Sequence, residues 1–220
     1  MRKMKMLGVI FDMDGVLCDS EAMMAEAACL MLREQYNVPA MPEDFRPFLG
    51  TGEERYLGGV AEKYGVTWQP VRDKARAYEI YLEIIPGRLQ PLPGTHAFIA
   101  AAQVRGLKLA VATSADRIKL HGNFAAIRLL ESSFEAVVTG ADVRRKKPHP
   151  DIFLLAAERL GVPPPNCLVV EDAPSGLQAG KAAGCRCLGI TSTFAAETLR
   201  AAGADWTATD LAAALPLLTR

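Results

Sequence analysis

The stretch Val9-Ile10-Phe11-Asp12-Met13-Asp14-Gly15-Val16-Leu17 limits what this chain can fold into more than any other. The apolar run from Leu7 to Phe11 breaks into two aspartates at i and i+2, followed by a glycine. A short apolar run ending in a turn signal reads as a buried strand, and Gly15 permits the sharp turn that must follow. In an open α/β sheet, ligands bind at the carboxyl ends of the strands, so this strand delivers Asp12 to a binding edge. Two carboxylates on one tight turn repel each other unless a cation, a proton or a division of labour separates them. The division that suits them makes Asp12 a nucleophile and metal ligand. Asp14 then protonates a leaving group and later deprotonates a water. Aspartate and glycine also make ordinary solvated turns, and the rest of the chain decides between the two readings.

After this strand, nothing from 20 to 88 reads as a strand. Asp19-Ser20-Glu21 opens a helix with Asp19 or Ser20 as N-cap, and the helix ends near Asn37-Val38-Pro39. Pro42 starts a second helical segment. The glycines of Pro47–Arg55 make a loop before a helix over 56–64, and Val71 to Ile85 forms a further amphipathic helix. From Pro91-Leu92-Pro93-Gly94 onward a unit recurs: helix, glycine, short apolar strand, polar residue. Its strands are 107–112, 134–138, 167–170 and 186–190, with a weak one at 205–207. Its helices are 97–105, 117–130, 152–160, 177–183, 195–202 and 211–218. Alternating strands and helices predict an α/β fold with a Rossmann-like, doubly wound parallel sheet. The all-helical stretch is an insertion at the carboxyl end of strand one, in the position of a lid. The expected division is a core of residues 1–19 and 89–220 and a helical cap of residues 20–88.

The ends of the parallel strands gather Asp12, Asp14, Thr113, Ser114, Glu171 and Asp172 on one sheet edge, and Lys147 joins them from the loop before the helix near Asp151. Each type suits phosphoryl transfer. A phosphate dianion repels an attacking carboxylate, so a cation must neutralise both, and Mg²⁺ takes hard oxygen ligands. Asp12, Asp172 and a backbone carbonyl at Asp14 would supply those, with Glu171 bound directly or through water. Lys147, the Thr113 hydroxyl and free N–H groups near Asp14 and Ser114 would hold phosphoryl oxygens. Plainer roles exist for the same residues. Thr113 and Ser114 also suit a helix cap, Glu171-Asp172 before Pro174 an N-terminal pair, and Lys147 a solvated basic run. His96, His121 and His149 take no catalytic part in this reading, and Trp68 and Trp206 carry no functional signal.

The totals exclude other classes. The chain has 220 residues, 50% of them hydrophobic, and a formal net charge of zero. That balance argues against nucleic acid as a partner, and no apolar stretch is long enough for membrane insertion. Five cysteines without a C-x-x-C pair indicate neither a disulfide framework nor a zinc site and fit a soluble intracellular protein.

Four motifs now stand in order: Asp12-Met13-Asp14-Gly15-Val16, Val111-Ala112-Thr113-Ser114, Lys147-Pro148-His149-Pro150-Asp151 and Val170-Glu171-Asp172-Ala173-Pro174-Ser175-Gly176. With them the chain resembles the haloacid dehalogenase superfamily phosphatases, in the branch that includes β-phosphoglucomutase. That resemblance implies an aspartyl-phosphate on Asp12, Asp14 as general acid and base, Mg²⁺ as cofactor, and a cap that opens and closes over a small phosphorylated metabolite. The stretch 47–60 and the run Thr113-Ser114-Ala115-Asp116-Arg117-Ile118-Lys119 are similar to the hydrolase part of plant suppressor-of-quenching proteins, and more distantly to CbbY-type sugar-bisphosphate phosphatases. That similarity alone implies a photosynthetic source and a chloroplast setting; without it the expected setting is cytoplasmic. The expected substrate is a sugar phosphate and the expected form a monomer. Asp14 argues against the dehalogenase and phosphonatase reactions of the superfamily, which lack a second aspartate. The mutase's cap lysine and arginine align here with Leu49 and Glu53, which favours hydrolysis over mutase chemistry; the other alternative is a binding or regulatory domain that keeps the fold with little turnover. Gly50, Gly52, Glu53, Glu54 and Arg55 become the candidates for substrate selection.

Overall fold

The computed structural model describes residues 5–48 and 52–219. β1 (Gly8–Phe11) is buried along its whole length. β2 (Lys108–Ala112), β3 (Ala136–Val138), β4 (Cys167–Glu171), β5 (Arg186–Ile190) and β6 (Trp206–Ala208) complete one sheet. Every pairing is parallel, and the order is β3-β2-β1-β4-β5-β6. The strand order reverses at β1, and this is where a doubly wound sheet opens a crevice for a ligand.

Strand periodicity sends alternate residues to opposite faces, and both faces are covered. Val9, Phe11, Val111 and Val170 face one core; Ile10, Ala110 and Val169 face the other. On the first face lie α4 (Thr95–Val104), α5 (Arg117–Ala126) and α9 (Leu211–Ala214), the last running into a 3₁₀ turn at Leu215–Thr219. On the second lie α6 (Asp151–Leu160), α7 (Pro174–Ala182) and α8 (Ala196–Ala201). Phe11 meets Phe98 edge to face at 5.9 Å, a geometry that aromatic quadrupoles favour. Each such fully buried side chain contributes about 1.5–3 kcal/mol, which fixes β1 and therefore the aspartates that follow it.

Between β1 and β2 the chain is helical: α1 (Glu21–Tyr36), a 3₁₀ segment (Pro42–Phe48), α2 (Glu53–Lys63) and α3 (Pro70–Ile84). Asn37 ends α1 in the left-handed conformation, as its place after the last apolar turn suggests. α1 packs on α3 through the cluster that holds Met31, Leu32, Ala77 and Tyr81. Ser20 occupies the N-cap position of α1, yet its side chain makes no capping bond. Its hydroxyl donates to Asp14 instead. α5 stops at Ala126, short of the expected Leu130, and α2 begins at Glu53, three residues earlier than the sequence suggests. Among the described residues, no helix is long and apolar enough to cross a membrane.

Candidate active site

The register assembles the site. Phe11 pairs with Val111 on one side and Val170 on the other. The next residues along these strands therefore come together at one edge: Asp12, Thr113 and Glu171-Asp172. Asp12 is anchored by its own backbone, whose N–H donates to the Val170 carbonyl at 2.9 Å. Gly15 turns the chain with φ +74°, and a side chain on it would collide with the Asp172 carboxylate.

Lys147 enters from the loop before α6. Its Nζ lies 2.6 Å from Asp12 Oδ1 and 2.5 Å from Glu171 Oε1, and it donates to the Ala112 carbonyl at 3.3 Å. Burial works against its ammonium, but the carboxylates of Asp12 and Glu171 outweigh that and hold its pKa above the ordinary lysine range. The basic run is thus not simply a solvated face. Arg145 pairs with Asp151 at the surface, whereas Lys147 is only 7% exposed. Thr113 Oγ1 accepts a hydrogen bond from the Ala115 N–H at 3.1 Å, so the residue also shapes its own turn. Glu171 accepts from the N–H groups of Asp172 and Ala173, both at 3.1 Å. This acid therefore supports the entry to α7 with one oxygen and meets Lys147 with the other.

Asp12, Glu171 and Asp172 each present a carboxylate oxygen within 4.8 Å of the others, and all three are buried. Burial, with Glu171 and Asp14 adding to it and Lys147 opposing, raises the Asp12 carboxyl to about 7. Burial and the neighbouring Glu171 and Asp12 push Asp172 well above the usual carboxylate range. Three buried acids facing one buried ammonium form a hard-oxygen donor set with surplus negative charge. A divalent cation such as Mg²⁺ fits it.

Asp14 stands outside that cluster. Its side chain accepts from Ser20 Oγ, from Lys119 Nζ at 2.8 Å and from Asn123 Nδ2 at 3.3 Å. Only its backbone carbonyl is left for the ligand role expected from sequence. Asp12, Asp14, Thr113, Ser114, Lys147, Glu171 and Asp172 all line one cavity of about 110 Å³, room for several waters or a small polar anion.

The helical insertion contributes Glu21, Met24, Phe48, Gly52 and Tyr56 to the lining of this cavity. The Glu21 carboxyl is raised to about 7 by burial and by the neighbouring Asp14. Gly52 lines the cavity and holds φ +88°. Gly50 lies outside the described residues, and Glu53 opens α2. Arg55 is not brought to the cavity. It pairs with Glu62 at 2.7 Å and lies over the Phe48 ring at 5.2 Å, about half exposed. The sequence reading passes over Ser20, Glu21, Tyr56, Lys119 and Asn123 as site residues. A signal was present for two of them: Lys119 and Asn123 are four residues apart and share one helix face.

Comparison with known proteins agrees with this geometry. The family model for haloacid dehalogenase-like hydrolases matches residues 6–184. Protein SUPPRESSOR OF QUENCHING 1, chloroplastic, of Arabidopsis thaliana is 43% identical over 202 residues. That alignment covers 90% of this chain but 19% of the Arabidopsis protein, so the chain spans about a fifth of that relative. A phosphorylated carbohydrates phosphatase of Thermotoga maritima is 34% identical, with 81% of this chain and 82% of that protein covered. Among solved structures, CbbY from Rhodobacter sphaeroides in complex with phosphate superposes with a TM-score of 0.85 at 25% identity, covering 94% and 95% of the two chains. The motifs, the sheet and the matches agree: the chain belongs to the haloacid dehalogenase-like hydrolases.

Proposed function

We propose that this protein is a Mg²⁺-dependent phosphomonoesterase that hydrolyses a small phosphorylated metabolite, a sugar phosphate by preference, through an aspartyl-phosphate on Asp12. The observation that carries the reading is the Lys147 ammonium set between Asp12 and Glu171 in the lining of the phosphate-sized cavity. In this reading an Asp12 oxygen attacks phosphorus while the bond to the leaving oxygen breaks, and the Asp14 carboxyl gives that oxygen its proton. Asp14 then takes a proton from the water that attacks the phosphorus of phospho-Asp12, which releases inorganic phosphate and restores Asp12. Lys147, Thr113 and Ser114 hold the phosphoryl oxygens throughout. The metal, held by Asp12, Asp172, the Asp14 carbonyl and Glu171, would neutralise charge on the transferring group.

We further take 20–88 as the cap and 1–19 with 89–220 as the core, with Gly50, Gly52 and Glu53 in the loop that selects the substrate; Arg55, paired with Glu62 away from the cavity, drops out of that set. Hydrolysis is favoured over a mutase because the described cap residues lining the cavity include no cation to grip a second phosphate. A plastid setting is the matching physiological reading, supported by the name of the Arabidopsis relative, and we take the protein to act as a monomer.

The test is phosphate release from a panel of sugar phosphates, phosphoglycolate, nucleotides and an aryl phosphate, with Mg²⁺ and with chelator. Metal-dependent turnover that disappears in Asp12→Asn, with the fold retained, is the expected result. Turnover near wild type in that variant removes Asp12 as nucleophile.

A further inference from the structure

Lys119 is a buried charge beside the catalytic aspartates to which the proposed mechanism gives no role. Its side chain is 7% exposed, and its Nζ lies 2.8 Å from Asp14 Oδ2. Taking an ion pair out of water is costly. Lys147 already serves the phosphoryl group, so a second buried lysine on the acid that moves protons calls for its own account. The surroundings supply it. Ser20 Oγ and Asn123 Nδ2 both donate to Oδ1 of the same carboxylate. Protein donors thus meet both oxygens of the Asp14 side chain, two on Oδ1 and one on Oδ2. The group nevertheless lines the cavity and remains 21% exposed. Its rotation is therefore fixed by protein donors while the group still faces the cavity.

The orientation of Asn123 is fixed in turn. Tyr81 on α3 donates its hydroxyl to Asn123 Oδ1 at 2.5 Å, and both side chains are fully buried. A flipped amide would set its oxygen against the Asp14 carboxylate, so only the observed orientation satisfies both ends. Tyr81 also presents its ring 5.9 Å from Lys119 Nζ, within cation–π range. The helical insertion thus reaches Asp14 directly through Ser20 and, from α3, through one tyrosine hydroxyl and one asparagine amide.

We propose that Lys119, with Asn123 oriented by Tyr81, is the positioning residue for Asp14 in proton transfer to the leaving group; this rests on the phosphatase reading. In that step the bond from Asp12 oxygen to phosphorus forms and the bond from phosphorus to the leaving oxygen breaks. The Asp14 proton passes to the leaving oxygen, and Asp14 is left as carboxylate. An alkoxide leaving group needs that proton, whereas a nitrophenolate departs without it. A misplaced Asp14 therefore penalises alkyl phosphates selectively. A lysine that merely held phosphate would serve both ester types alike.

The experiment measures kcat/KM, which reports events through phosphoryl transfer, for an alkyl sugar phosphate and for p-nitrophenyl phosphate at saturating Mg²⁺. It compares the full chain with Lys119→Met, Lys119→Arg and Tyr81→Phe. The expected result for Lys119→Met is a loss of about a hundredfold on the alkyl ester and of less than about threefold on the aryl ester. Lys119→Arg recovers most of the alkyl rate, and Tyr81→Phe moves the alkyl-to-aryl ratio severalfold in the same direction. Equal loss on both esters, or a rise in KM with kcat unchanged, overturns the proposal and leaves the phosphatase reading standing. Should Lys119→Met fail to fold, Tyr81→Phe decides: an unchanged ratio overturns the proposal. A wild type that turns over neither ester overturns the phosphatase reading itself, and this proposal with it.

Discussion

Asp12 sits among neighbours that pull its proton in opposite directions. Burial, Glu171 and Asp14 raise its carboxyl from 3.8 to about 7, against the pull of Lys147. Because the folded protein binds this proton more tightly than the unfolded chain, the stabilisation is fully present below about pH 4. It is lost as pH rises through about 7. Asp12→Asn is neutral at every pH and keeps the shape. In chelator, it should therefore be more stable than wild type at pH 8 by about 1–3 kcal/mol, with the gap closing towards pH 5. Urea melts across that range check this, and a gap that does not change with pH would contradict the assignment. The acids at strand ends were legible in the sequence because a strand end is a fixed address. Ser20 was not. A serine before a helix can cap a backbone N–H or turn to a carboxylate, and only the fold brings Asp14 within its reach. Lys119 and Asn123 were legible as a shared helix face but not as partners of Asp14, since their register against the aspartate turn depends on how α5 packs.

The elements themselves followed the sequence wherever a glycine marks their end. α6 stops at Gly161 in the left-handed conformation. α5 stops without such a mark. Arg128 takes the positive φ of +55°, while its N–H donates to the Ala125 carbonyl at 3.3 Å and the Leu129 N–H donates to the Phe124 carbonyl at 2.8 Å. This is a Schellman-type ending with an arginine where glycine is usual, so the expected helix runs on to Leu130. α7 carries the glycine that matters most for the site. A side chain on Gly176 would fall on the Glu171 carboxylate, which Lys147 and two backbone N–H groups hold in place. Gly176→Ala should improve helix propensity by about 1 kcal/mol and yet displace Glu171. The expected outcome is a ten- to hundredfold weaker metal dependence, the range typical of losing a supporting ligand contact. A Mg²⁺ titration of activity reads it directly; an unchanged titration would show that Glu171 can shift without consequence for the cation.

The whole molecule places a helical insertion over a sheet edge rich in acids and ties the two together at α5. Lys74 of α3 pairs with Asp116 at 2.7 Å, one end of the seam that Tyr81 and Asn123 continue inward. The lower wall of the cleft is anionic and buried, so the stability of the whole fold should respond to a cation that binds there. Ligand binding to the folded state alone adds RT ln(1 + [L]/Kd), about 2.7 kcal/mol at a hundredfold excess over Kd. For a chain of this length that corresponds to a rise in Tm of about 5–10 °C. Asp172→Ala should lose most of the rise, because it removes one of the three oxygens that lie within 4.8 Å. The effect should also depend on pH. With the Asp12 carboxyl raised to about 7, protons compete with the metal below that value, so the gain from a fixed Mg²⁺ concentration should be large at pH 8 and small at pH 5.5. Thermal melts with Mg²⁺ and with chelator at the two pH values separate this from general salt stabilisation, which would raise Tm equally in wild type and Asp172→Ala. The absence of any Mg²⁺-specific rise at pH 8 would remove Asp12, Glu171 and Asp172 as a cation site, and with it the neutralising charge that the phosphoryl-transfer reading requires.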